Sequence, residues 1–259
     1  RTLAVMASAV GATLVALLLA LRSTRAAADL ATRQADFVSA VSHEMKTPLS
    51  AIKLASDTLA SGRYASPESA GEYGQIIAGE TRHLGRLIDN VLCYARINDS
   101  SSEYDMESVD VVEVVEASLD RFGLQLEELG FEVDVQLPPD VPPVRGDRLM
   151  LGQVVDNLID NALKYAAEGR WLGVHVASND RLVIVDIADR GAGIPPEERS
   201  RVFEKFYRRK GTRTRGAGLG LAIVRRIIDD HGGTVVLSGR PSGGSVVTVT
   251  LPLDAKTTA

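Results

Sequence analysis

Apolar residues at alternating spacings of three and four run from Val38 through Val41, Met45, Pro48, Ile52 and Ala55 to Leu59. These are a and d positions over three heptads, so the segment reads as a helix with one seam to set against other helices. A partner follows at once in the chain. Gly62 marks a turn, and Ser66-Pro67-Glu68 supplies an N-cap, a first-position proline and a first-turn acid. A second series then runs through Tyr73, Ile77, Leu84, Leu87, Val91 and Ala95, widened by Ile76, Ile88 and Leu92. Two long helices joined by a short turn make an antiparallel hairpin, and two copies close a four-helix bundle, so a homodimer is expected. With Val38 at a, His43 falls at f, farthest from the seam, and Lys46 and Thr47 share its face. Pro48 is expected to kink the helix one turn later. Cys93 reads as a small buried residue.

Before this hairpin lie 19 consecutive uncharged residues, Leu3 to Leu21. A helix of that length spans about 29 Å, close to a bilayer's hydrocarbon core. A signal peptide is the alternative, but its apolar region is normally shorter. Arg22, Arg25 and Arg33 follow directly and put that side in the cytoplasm. The expected organisation is a transmembrane helix over 3–21, a connector over 22–35 and the hairpin over 36–98. A polar, acidic linker follows over 99–108, then a mixed domain over 109–253 and a tail over 254–259. The chain opens on Arg1 rather than Met, which reads as a fragment or a processed chain.

Composition narrows the function. With 29 Lys+Arg against 34 Asp+Glu the net charge is −5, a poor match for nucleic-acid binding. One cysteine allows no internal disulfide, and with four histidines it forms no zinc-ligand cluster by spacing.

Within the mixed domain, Phe131–Leu137 alternates as a half-buried strand should. Trp171–Ala177, Arg181–Ala188, Thr234–Leu237 and Ser245–Leu251 are further strands; Val112–Leu129, Asp147–Ala166 and Leu219–His231 are helices. One sheet with one helical layer makes an α+β domain. In the middle helix Leu151, Val154, Val155, Leu158, Ala162 and Tyr165 form a core stripe. Beside them run Gln153, Asn157, Asn161 and Lys164, either a solvated face or amides and an ammonium offered to a metal–phosphate group.

Asp189-Arg190-Gly191-Ala192-Gly193-Ile194-Pro195 follows a strand, its glycines allowing close backbone approach to a ligand. Gly216-Ala217-Gly218-Leu219-Gly220 places three glycines before a helix, where N–H groups can meet phosphate oxygens. The spacing fits neither a Rossmann site nor a P-loop. Between them, Arg208 to Arg215 holds five basic residues among eight, including Arg208, Arg213 and Arg215, and reads as a lid over phosphates.

Together these segments resemble the cytoplasmic part of bacterial two-component sensor histidine kinases. Phe37–Leu49 matches the H box, Asn157–Tyr165 the N box, and Asp189–Pro195, Phe203–Arg208 and Gly216–Val224 the G1, F and G2 boxes, in the family's order. The resemblance implies a dimerisation hairpin followed by a two-layer α+β sandwich of the GHKL (Bergerat) ATPase type. It implies that His43 takes the γ-phosphoryl of ATP with Mg²⁺ and passes it to an aspartate of a response-regulator receiver domain. Glu44 would orient His43 and accept its proton. Asn161 would coordinate Mg²⁺ with Asn157 nearby, Lys164 and the lid arginines would meet phosphate, and Asp189 would accept from the adenine amino group. Tyr165, Gly191, Gly193, Gly216, Gly218, Leu219 and Gly220 complete the implied nucleotide site. Thr47 completes an HExxT pattern like that of kinases that also dephosphorylate their regulator. The 14 residues from Arg22 to Ala35 leave no room for a HAMP relay. Another GHKL ATPase and a non-catalytic dimeric scaffold are the competing readings.

Overall fold

The heptad segment forms a helix over residues 38–60 (α1), and the proline expected to kink it does not interrupt it. This computed structural model describes residues 22, 24, 38–98, 103–209 and 218–254. The 3–21 segment, most of the connector, Arg213, Arg215, Gly216 and the last five residues lie outside them. Among the described residues no helix is long and apolar enough to cross a membrane.

The chain leaves α1 through Gly62, whose φ of +64° suits glycine, while the Arg63 N–H bonds the Thr58 carbonyl at 3.2 Å. Ser66 then caps helix α2, Pro67–Asn98, its hydroxyl accepting from the Ser69 N–H at 3.3 Å. The Ser69 hydroxyl reciprocates, accepting from the Ser66 N–H at 3.0 Å. Of the seam positions Pro48 and Ala55 are buried, Val41, Met45, Ile52 and Leu59 half-buried and Val38 exposed, and Leu49, Leu54 and Ile76 are exposed apolar side chains beside them.

Contacts divide the chain into two compact units, residues 1–84 and 85–259, so the second half of α2 belongs with the mixed domain. Beyond α2 come strand β1 (Glu107–Val109), helix α3 (Val111–Glu128) and strands β2 (Glu132–Gln136) and β3 (Val144–Gly146). Helix α4 (Arg148–Tyr165) and strands β4 (Trp171–Ser178) and β5 (Leu182–Asp189) follow. After two short 3-10 turns come helix α5 (Gly220–Asp230) and strands β6 (Thr234–Gly239) and β7 (Ser245–Pro252). Five strands form one sheet in the order β2-β4-β5-β7-β6, parallel between β2 and β4 and antiparallel elsewhere.

Alternation decides which side is buried. Val174, Val176, Val185, Ile187, Val249 and Leu251 are buried beneath the helices, each side chain contributing about 1.5–3 kcal/mol. His175, Asp186 and Thr248, paired across neighbouring strands, share the opposite face.

Two expectations need correction. The alternating β2 is not half-buried: Val133 and Val135 remain exposed, because β2 is an edge strand. The linker does not run to Ser108, since Glu107–Val109 pairs with Val144–Gly146 as a two-stranded ribbon. Three-residue strands leave too little alternation to read.

The approach to α4 is fastened at Asp147, a buried acid. Its Oδ1 accepts from the Leu149 and Met150 N–H groups at 3.0 and 3.1 Å. Its Oδ2 accepts from the Asp105 N–H at 3.2 Å and faces the Arg96 guanidinium at 3.7 Å. The Asp147 N–H donates to His231 Nε2 at 2.9 Å, while His231 Nδ1 meets the Ile227 carbonyl at 2.7 Å. One residue thus joins α2, the connecting segment, α4 and α5. Asp147→Ala removes a cap and two charge-assisted contacts, an expected loss of ~3 kcal/mol, whereas Asp147→Asn keeps the cap and should recover about half. Urea unfolding followed at Trp171 reads this, and a loss below about 0.5 kcal/mol for Ala contradicts it.

Candidate nucleotide site and phosphoacceptor histidine

Helix α4 is buried nearly all round, because α3, α5, the sheet and the end of α2 surround it. Besides the expected stripe, Met150, Ile159 and Leu163 are buried. Tyr165, expected in that stripe, is instead 49% exposed, since it closes the last turn of the helix. Asn157 is only 4% exposed, which excludes a solvated face at that position. The Nδ2 atoms of Asn157 and Asn161 are buried and have no hydrogen-bond partner among the described residues. A buried amide left so costs about 1–3 kcal/mol unless a ligand completes it.

The start of α5 reaches the first of these amides, and the loop after β5 meets the end of the same helix. A Cβ at Gly220 would lie 3.3 Å from Asn157 Oδ1, so the first residue of α5 abuts the asparagine. No side chain caps α5 at Leu219, leaving its first N–H groups for an anion. A Cβ at Gly191 would collide with the Tyr165 carbonyl, so the loop after β5 lies on the end of α4. Gly193 (φ +69°) turns that loop toward Gly244, whose carbonyl lies 3.2 Å from the Gly193 Cβ position.

The F-box residues close the remaining side. Phe206 is a non-glycine residue at φ 64°, and its N–H donates to the Gly218 carbonyl at 2.9 Å. Such a backbone costs about 1–3 kcal/mol and is held only by its surroundings. Gly218 has φ +68° and would place a Cβ 2.9 Å from Phe206 and Tyr207 backbone atoms. Arg208 is exposed on this segment, and Arg209 reaches across to donate to the Gly193 carbonyl at 3.2 Å.

Asp189 ends β5 with one oxygen engaged. Oδ1 accepts from the Gly191 N–H at 2.7 Å and the Ser245 N–H at 3.3 Å. Neither bond falls on Oδ2, which leaves that oxygen for an incoming donor. Burial pushes the carboxyl above the ordinary aspartate value, opposed by the two N–H groups and the Arg240 charge.

Lys164, expected to meet phosphate, is engaged within its own helix. Its ammonium pairs with Asp160, one turn earlier, and Asp160 also faces Arg86 Nε at 3.0 Å. No group of three or more His, Cys, Asp or Glu able to hold a metal occurs among the described residues. A magnesium ion usually takes one or two protein oxygens with substrate phosphates, and an asparagine amide suits that demand. Sequence reasoning missed Asp160, Arg240 and Ser245, and had Arg209 only as part of the basic run. Of the three missed, only Asp160 had a visible signal, its spacing of four from Lys164.

In the other unit His43 is exposed on α1, with Glu44 and Thr47 half-buried beside it on the adjoining turn. Cys93, as expected, is buried; desolvation raises its thiol to about 11, and its Sγ lies 3.9 Å from Met150 Sδ.

Comparison with known proteins finds two regions in the chain, the first of which runs past the boundary at residue 84. Residues 33–100 match the His Kinase A (phospho-acceptor) domain. Residues 146–255 match the histidine kinase-, DNA gyrase B- and HSP90-like ATPase. The chain is 32% identical over 222 residues to the sensor histidine kinase WalK of Bacillus subtilis, covering 84% of this chain and 36% of WalK. It is 36% identical over 235 residues to the signal transduction histidine-protein kinase/phosphatase MprB of Mycolicibacterium smegmatis, covering 86% and 46%. The chain therefore spans about half the length, or less, of these curated relatives. Among solved structures, a mycobacterial sensor histidine kinase MprB is 35% identical with a TM-score of 0.50, over 57% of this chain and 97% of that one. Full-length ShkA in complex with AMPPNP is 27% identical with a TM-score of 0.59, over 82% and 44%. With a phospho-acceptor domain, an ATPase domain and these relatives in one order along the sequence, the chain belongs to the sensor histidine kinases.

Proposed function

We propose that the chain phosphorylates itself on His43 from ATP and passes the phosphoryl group to an aspartate of a response-regulator receiver domain. The observation that carries this reading is the pair of buried Asn157 and Asn161 Nδ2 groups, without hydrogen-bond partners among the described residues, near the uncapped start of α5. Their N–H donors suit phosphate oxygens, and the Oδ1 atoms of the same amides are the ones that would face a metal.

In the proposed step a ring nitrogen of His43 attacks the γ-phosphorus, the bond to the ADP oxygen breaks and Glu44 takes the displaced imidazole proton. Asp189 Oδ2 accepts from the adenine amino group, and the first N–H groups of α5 meet the phosphates. Asn161, with Asn157 beside it, holds Mg²⁺, which supplies neutralisation of phosphate charge when bound. Lys164 reaches phosphate on leaving Asp160, and Arg208 with Arg213 and Arg215 closes over the phosphates. The same reading makes the hairpin a homodimer and anchors it through residues 3–21. The apolar hairpin side chains Leu49, Leu54 and Ile76 support the first of these.

Thr47 separates the forward and reverse activities. It stands one turn beyond His43, where its hydroxyl can position water at a docked phosphoaspartate. Thr47→Ala is expected to retain autophosphorylation and to lose phosphatase activity by ~10²-fold. Decay of purified phospho-regulator with ADP and Mg²⁺ measures it, and equal decay with wild type and variant removes Thr47 from that role. For the function itself, the phosphorylated chain is mixed with a receiver domain. Label moving to the receiver's aspartate supports the proposal, and label retained against every receiver offered contradicts it.

A further inference from the structure

Arg240 lies 51 residues beyond Asp189, in the turn between β6 and β7, and its guanidinium reaches back to the end of β5. Nη1 donates to the Asp189 carbonyl at 3.0 Å, and Cζ stands 4.1 Å from the centre of the Trp171 ring. That ring is almost wholly buried, and Arg190 stands against it at 4.5 Å.

The turn itself is folded tightly onto Asp189. The Arg240 N–H bonds the Gly244 carbonyl and the Gly243 N–H bonds the Arg240 carbonyl, both at 3.1 Å. Gly244, at φ +94°, comes so close that a Cβ there would collide with the Asp189 carbonyl. The next residue, Ser245, donates its N–H to Asp189 Oδ1. Arg240 therefore closes the same turn whose backbone orients the carboxylate.

We infer that Arg240 is a positioning residue for nucleotide binding, holding the 240–245 turn against β5 so that Asp189 offers an ionised Oδ2 to the base. The inference rests on Asp189 being the adenine contact. Two effects act together. The guanidinium fixes the carbonyl end of Asp189, so the two N–H bonds on Oδ1 hold the carboxylate plane. Its charge also favours the ionised carboxylate against the cost of burial. The other groups facing Asp189 are the Gly191 and Ser245 N–H groups and the backbone of Gly244, none of which titrates. Arg190, next in the chain, is engaged with the Trp171 ring.

The test measures ATP binding by the full chain at about pH 8.5 and about pH 5.5, for wild type, Arg240→Gln, Arg240→Lys and Asp189→Asn. Without the guanidinium, the Asp189 carboxyl becomes harder to ionise and its plane freer. Arg240→Gln should therefore weaken ATP about twofold at the higher pH and by a clearly larger factor at the lower one. Arg240→Lys should recover most of the acid-side loss. Asp189→Asn should bind ATP poorly at both pH values. An equal loss at both pH values with no rescue by lysine reduces Arg240 to a structural brace, and no loss at all removes it; either result overturns the inference while leaving Asp189 in place. If Asp189→Asn binds ATP normally, the adenine contact itself is wrong, and the Arg240 role falls with it.

Discussion

His43→Gln is expected to take up no label from γ-labelled ATP while binding ATP as the wild type does. The acceptor sits on α1 in the unit formed by residues 1–84, and the buried asparagines, Asp189 and α5 all lie in the other unit. His43 is exposed and its neighbours are a half-buried acid and threonine, so its removal opens no cavity and strands no buried charge. Surface substitutions of that kind cost about 0.5 kcal/mol or less. The loss should therefore be chemical, amounting to at least ~10³-fold in labelling rate because nothing replaces the nucleophile. Labelling with undiminished rate would place the acceptor elsewhere.

Asn161→Ala should lose labelling to a similar extent, by another route. Its Nδ2 is buried without a hydrogen-bond partner among the described residues, so removing the side chain breaks no such bond there. Stability should stay within about 1 kcal/mol of wild type or rise slightly, since a stranded polar group has gone. Binding of Mg-ATP should weaken, whereas adenosine binding, which depends on Asp189, should change little. Loss of a group that stabilises transferring phosphate typically costs about 10²–10³-fold. Equal weakening of adenosine and Mg-ATP would instead mean that Asn161 shapes the whole pocket and has no particular duty at the phosphates.

These effects could be anticipated from the sequence because α4 prints its two faces at helical spacing. The asparagines repeat every four residues beside an apolar stripe, and glycines stand where α5 and the β5 loop press against them. Strands β4, β5 and β7 were legible for the same reason, as runs of β-branched residues long enough to alternate. What escaped depends on long-range placement. Val133 and Val135 alternate like buried residues, yet nothing in a local pattern says that β2 ends the sheet. Ribbon strands β1 and β3 are held by each other, 35 residues apart at Val109 and Val144, and carry no periodicity of their own. Tyr165 follows the stripe by spacing but falls where the helix stops and its cover ends. Arg240 and Asp189 meet only because β5 and β7 are neighbours, and strand order is invisible to a pattern read along the chain.

The chemical nature and position of the transferred phosphoryl group test the central claim most directly. Wild-type chain is incubated with γ-labelled ATP and Mg²⁺, and the label is assayed for acid and alkali stability and then mapped by peptide. A phosphoramidate on His43 requires label that survives alkali, is lost in acid and resides in the peptide containing residues 37–49. Acid-stable label on serine, threonine or tyrosine, label on another histidine, or ATP hydrolysis with no label on the protein would each contradict it.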